Sequence, residues 1–214
     1  MKLDHSDNRT SALTLTEVLV ISVVVAVLAA LLLPAFRHHD GGQKIRCVNN
    51  LKQIDLAARI FATDNGERFP MEVPVKEGGS KEFVQFGLVL PHFLVISNEL
   101  STPKLLVCPR DQRQEAANFK ELRGENISYF VGLDASQTNS QTLLAGDRNI
   151  TNGSPGNDRI LFLTTNQPVG WTRDIHENAG NVVLSDGSVQ QLSSGRLQEA
   201  LRDSSVATNR LAIP

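Results

Sequence analysis

A chain of 214 residues with a formal net charge of −2 is long enough for one domain with a real core. Its pI near 6.2 leaves no basic footprint for nucleic acid, and 5% aromatic residues, with one Trp and one Tyr, provide no stacking platform. Two cysteines, Cys47 and Cys108, suit an oxidising compartment and do not make a four-ligand zinc cluster.

The first informative stretch is Ser11 to Phe36, "SALTLTEVLVISVVVAVLAALLLPAF". From Val18 to Phe36 it carries no charge and is mostly Val, Leu and Ala. At about 1.5 Å of rise per residue such a helix approaches the roughly 30 Å of a bilayer core, which predicts a membrane-spanning segment. Glu17 stands at its start, where an unpartnered carboxylate costs on the order of 2–3 kcal/mol in lipid. A secretory signal peptide has a basic start, a shorter apolar region and a small-residue cut after it. Pro34-Ala35-Phe36-Arg37 does not fit that cut.

The small residue Ala12, the apolar Leu13 and Glu17 four positions later resemble the prepilin N-terminus of type IV pilins and type II secretion pseudopilins. The resemblance implies cleavage between Ala12 and Leu13 by a prepilin peptidase, with methylation of the new amine. Glu17 then becomes the fifth residue of the mature chain and meets a neighbouring subunit's N-terminus in a filament. Such a pair is strong in low dielectric and costly without its mate. Pro34 falls where pilins often carry a proline that kinks the helix. Two details depart from the pattern. Ala12 replaces the usual glycine, and Arg37, Lys44 and Arg46 after the span favour the opposite orientation when basic residues are counted.

Beyond the polar "RHHDGG" the helical spacing resumes. Cys47, Leu51, Ile54, Ala58 and Phe61 recur at helical steps and predict one apolar stripe, with Lys52, Asp55 and Arg59 off it. Asp64-Asn65-Gly66 ends this helix. If the glycine pair only bends the chain, Thr14 to Ala62 makes a helix of roughly 70 Å.

"CVNNLKQIDLA", "LLVCPRD" (Leu105 to Asp111) and "HENAGNVVLSDG" also resemble a narrower group, the pseudopilin-like proteins of planctomycetes and verrucomicrobia that end in an H-x9-DG element. Here that element is His176, nine residues, then Asp186-Gly187. The β-prone runs Val182–Ser185 and Ser188–Leu192 flank Asp-Gly, which predicts a tight hairpin turn with positive φ. His176 then pins the preceding loop. A ligand role for His176 with Asp186 is the alternative, although no second His or acidic cluster stands at ligand spacing. No nucleophile, base and orienting partner come together in the sequence, so no enzyme is expected.

Further strands are predicted at Ile127–Leu133, Thr142–Asp147 and Ile160–Thr165, with a turn-rich loop at 149–158. Phe83–Ile96, broken by Gly87 and Pro91, reads as a short helix or strand in the core. The tail from Arg196 begins as a short helix and ends disordered. Asp134, Asp147, Asp158 and Asp186 are too scattered for the six to eight oxygens of a calcium site. Cys47 opens the helical stripe and Cys108 closes the apolar run Leu105-Leu106-Val107. A bridge and two buried thiols both remain open.

The expectation is an α+β, pilin-like fold with a long N-terminal transmembrane assembly helix packed on an antiparallel sheet. Its parts are a leader at 1–12, the transmembrane helix at 13–36, an amphipathic continuation at 37–63 and a periplasmic domain at 64–214. The expected function is that of a structural subunit of a pseudopilus, held in the bacterial inner membrane by a single span. Its expected partners are a prepilin peptidase, other pseudopilins, an inner-membrane assembly platform and the lipid bilayer, with no cofactor, no metal and no nucleic acid. The rival is a membrane-anchored periplasmic binding or enzymatic domain that does not polymerise.

Overall fold

Thr14-Leu15-Thr16-Glu17 opens the first helix of the computed structural model as a capping box. Thr14 Oγ1 accepts from the Glu17 amide at 3.3 Å, and Glu17 Oε2 accepts from the Thr14 amide at 2.8 Å. The Thr14 hydroxyl donates to the same carboxylate oxygen at 2.8 Å. These bonds to Thr14 hold the Glu17 carboxyl below its usual range. Glu17 therefore finds its partner within its own helix. The structure describes residues 14–32, 39–154, 159–204 and 206–214.

Helix α1 covers Leu15–Leu32. Its 18 residues rise about 27 Å, and the uncharged part after Glu17 about 22 Å, short of the roughly 30 Å of a hydrocarbon core. Among the described residues, no helix is long and apolar enough to cross a membrane. This corrects the expected pilin-like fold class with its transmembrane assembly helix, and with it the expected single-pass inner-membrane localisation. Ala12, Leu13 and Pro34 lie outside the described residues. The fold that is described is α+β with an antiparallel sheet.

The chain divides into two compact units, Met1–Gly42 and Gln43–Pro214. Helix α2, His39–Asp64, runs through Gly41-Gly42 without interruption. Cys47, Leu51, Ile54, Ala58 and Phe61 are all buried, as their spacing predicts. The helix stops where Gly66 takes φ 68°, a left-handed conformation that lets the Glu67 amide turn back to the Ala62 carbonyl at 2.8 Å. A 3-10 turn at Lys81–Phe86 and helix α3, Val89–Val95, follow, so the Phe83–Ile96 stretch is helical.

Six strands form the main sheet: β1 Tyr129–Gly132, β2 Leu143–Asp147, β4 Ile160–Thr164, β6 Ala179–Leu184, β7 Val189–Ser193 and β8 Thr208–Ala212. Their order is β4-β8-β1-β2-β6-β7, and every pairing is antiparallel. A separate pair joins β3, Ile150–Thr151, to β5, Gly170–Trp171. Alternating side chains, with an irregularity between Leu143 and Ala145 in β2, split the core into two layers. Tyr129, Val131, Ala145 and Val183 face the layer built on α2, while Phe130, Leu143, Val182 and Leu184 face the other. That second layer is closed by helix α4, Ser194–Asp203, through Leu197 and Leu201.

The tail corrects the expectation of terminal disorder. It does begin as a helix, but Thr208–Ala212 then becomes an interior strand that pairs with both β1 and β4. Asn209, Leu211 and Ala212 are buried there. The buried polar Asn209 and the half-buried Arg210 break the apolar alternation that would mark this strand in the sequence.

Candidate functional site around His176

The three sequence words meet around helix α2. Cys108-Pro109-Arg110-Asp111 forms a turn closed by the Asp111 amide donating to the Cys108 carbonyl at 2.8 Å. The turn presents Cys108 to α2, where it is disulfide-bonded to Cys47 across a Cα–Cα distance of 5.1 Å. At its other end, Asp111 accepts two hydrogen bonds from Arg148, each at 2.8 Å. Burial pushes the Asp111 carboxyl up, but the Arg148 hydrogen bonds and charge outweigh it and hold it below the usual range.

His176 reaches the same place from the loop between β5 and β6. Asn149 laces that loop, donating from Nδ2 to the carbonyls of Thr172 at 3.0 Å and Ala179 at 3.1 Å. Glu177 and Asn178 then take φ 55° and 67°, a strained left-handed pair that turns the chain into β6 and leaves His176 pointing inward. His176 Nε2 lies 3.5 Å from Cys108 Sγ, 3.3 Å from Asp147 Oδ2 and 3.2 Å from Asn181 Nδ2. Asp147 Oδ2 in turn accepts from the Asn181 amide at 2.6 Å and from its Nδ2 at 2.8 Å.

The side chains of His176 and Asp147 are both 0% exposed. Burial, with the nearby cations of Arg110 and Lys44, pushes the imidazole down to about 4. Burial pushes Asp147 up to about 7 against the two Asn181 hydrogen bonds. At neutral pH the imidazole is therefore neutral, and the contact is not an ion pair. His176 Nδ1, Asp147 Oδ1 and Asn181 Oδ1 are buried without a hydrogen-bond partner. Three such atoms in one cluster are unusual, since buried polar groups are normally satisfied.

The far end of the H-x9-DG element serves a different neighbour. The Gly187 amide donates to the Leu184 carbonyl at 2.9 Å, Gly187 takes φ 87°, and the Ser188 amide donates to Asp186 Oδ1 at 2.8 Å. This is the tight turn that Asp-Gly predicts. Arg59 of α2 donates from Nη2 to the Ser185 carbonyl at 2.6 Å, and from Nε to the Asp55 carboxylate at 2.9 Å and 3.0 Å. A side chain on Gly187 would meet Asp55 Oδ2 at 2.9 Å. Asp55 and Arg59 lie off the apolar stripe, yet Asp55 is buried, because the hairpin tip covers it.

His176 and Asp186 thus sit at opposite ends of β6, and the suggested pairing of the two as ligands is corrected. The acid beside His176 is Asp147, whose position before Arg148 at the end of β2 carries no ligand-spacing signal. Of the other acids weighed for calcium, Asp134 is held by Arg210 at 2.5 Å, and Asp158 lies outside the described residues. Among the described residues, Cys47, Cys108 and His176 form the cluster whose ligand atoms lie within 4.8 Å of one another. Comparison with family models, with curated proteins and with solved structures finds no match.

Proposed function

We propose that the chain is a pseudopilin-like structural subunit that assembles with copies of itself through helix α1. One observation carries this reading. From Thr14 to Ala30 every residue is exposed, and Val18, Leu19, Val20, Ile21 and Val23 are each more than half exposed. Only Ser22 interrupts the apolar surface after Glu17, and its hydroxyl is turned back onto the Leu19 carbonyl at 2.8 Å. A helix that is apolar on all sides needs a cover. Copies of the same helix supply one of equal length and composition, and Val, Leu and Ala pack against each other without unpaired polar groups.

The remainder of the chain suits a load-bearing passenger. Helix α2 is fastened to its domain by the disulfide near its start and by Arg59 and Asp55 one turn apart farther along. Cleavage between Ala12 and Leu13 by a prepilin peptidase belongs to this reading, as does service in a type II secretion or type IV pilus-like system. Mass spectrometry of the mature N-terminus tests it. An N-methylated Leu13 is expected, and an intact Met1 contradicts the reading.

A further inference from the structure

Nothing about a disulfide requires a polar surround, because the bridge is apolar and packs like other core groups. The Cys47–Cys108 bridge nevertheless stands against the buried His176, which has Asp147 and Asn181 beside it, and each of the three carries one buried atom without a hydrogen-bond partner. Beside the bridge, Cys47, Cys108 and His176 each offer a ligand atom within 4.8 Å of the others, which is the geometry of a shared cation.

The spacing fits an ion of the zinc type. Zinc bonds of about 2.3 Å to sulfur and about 2.0–2.1 Å to nitrogen place two such ligands about 3.5 Å apart on a tetrahedron. His176 Nε2 stands 3.5 Å from Cys108 Sγ. Two thiolates on one ion stand about 3.8 Å apart, so the sulfurs must separate on reduction. The 5.1 Å between the Cα atoms leaves that to side-chain rotation. In the oxidised chain His176 Nε2 accepts from Asn181 Nδ2, so binding an ion exchanges that hydrogen bond for the metal bond.

We propose that, once the bridge is reduced, Cys47, Cys108 and His176 bind a thiophilic divalent cation of the zinc type, with water in the fourth position beside Asp147. A dithiol reductant supplies the two electrons, becoming a disulfide itself as Cys47 and Cys108 become thiols. Metal binding then releases two protons, one from each thiol, as the thiolates take up the ion. The two thiolates neutralise the charge of the cation. Disulfide and metal are thus alternative fasteners of α2 to the Cys108–Asp111 turn, selected by redox conditions. The inference does not depend on the filament reading.

The test uses the full chain, reduced with a phosphine under anaerobic conditions, desalted, and titrated with Co²⁺ and then Zn²⁺. One equivalent of cobalt is expected, with a thiolate-to-cobalt charge-transfer band that zinc abolishes, and no binding by the oxidised chain. His176→Gln should weaken cobalt binding by at least about a hundredfold, beyond the range typical of outer-sphere partners. If the reduced chain loses structure, one equivalent of zinc should restore the native circular dichroism. The inference is overturned by a reduced chain without the charge-transfer band, by equal affinity in His176→Gln, or by failure of zinc to restore a lost fold.

Discussion

Arg59 donates to the carbonyl of Ser185 at 2.6 Å, joining helix α2 to a hairpin tip 126 residues away. The same guanidinium is held by Asp55, and Gly187 leaves the room in which both sit. The Asp-Gly pair therefore does two things: it closes the turn and lets the turn dock.

Gly187→Ala follows directly. The residue has φ 87°, and a Cβ would approach Asp55 Oδ2 to 2.9 Å and Arg59 Nη2 to 3.0 Å. A left-handed alanine alone costs roughly 1–2 kcal/mol, so a loss of about 2 kcal/mol or more is expected. Urea unfolding measures it, and an unchanged midpoint would show that the tip is not docked on α2.

The bridge closes a loop between residues 61 apart. Loop entropy assigns such a link about 4 kcal/mol. Reduction in the presence of a chelator should lower the unfolding free energy by that order, while thiol labelling of denatured, unreduced protein should find no free thiol. Two labelled thiols per chain would remove the bridge from the account.

His92 on α3 is buried, with Nδ1 2.7 Å from Ser80 Oγ and Nε2 without a partner. Burial lowers its pKa to about 4 from an ordinary 6.5. The unfolded chain thus binds the extra proton first, so the contribution is complete above pH 6.5 and is lost as pH falls through about 4. The shift corresponds to roughly 3 kcal/mol. Unfolding free energies compared at pH 7 and pH 4 should fall less in His92→Gln than in the natural chain. Equal losses in both would contradict the assignment.

Much of the domain was legible because its signals are local. The α2 stripe, the Asp-Gly turn and the strands around Tyr129, Leu143 and Ile160 each follow from spacing or turn chemistry within a short window. What escaped depends on distance in sequence. β8 becomes a strand because β1 and β4 flank it, and Asp147 joins His176 only because β2 lies beside β6. The Thr14–Glu17 capping box was legible in principle, as a Thr three residues before a Glu ahead of an apolar run. The length of that run predicts a membrane span, whereas among the described residues no helix is long and apolar enough to cross a membrane.

Glu17 separates two roles by one substitution. Gln can still accept from the Thr14 amide, whereas Val cannot, so helix capping survives in Glu17→Gln and fails in Glu17→Val. If the charge pairs with a neighbouring subunit, both variants should assemble poorly in a crosslinking assay. Normal assembly of Glu17→Gln beside poor assembly of Glu17→Val would assign the residue to the cap alone.

The most direct test of assembly through α1 is a photo-crosslinking residue placed at Val24, in the middle of the exposed apolar surface. After illumination of cells expressing the full chain, mass spectrometry identifies the partner peptide. The account predicts crosslinks to residues 14–32 of another copy, in ladders of increasing subunit number. A chain that stays monomeric, or that captures only unrelated partners, would contradict it.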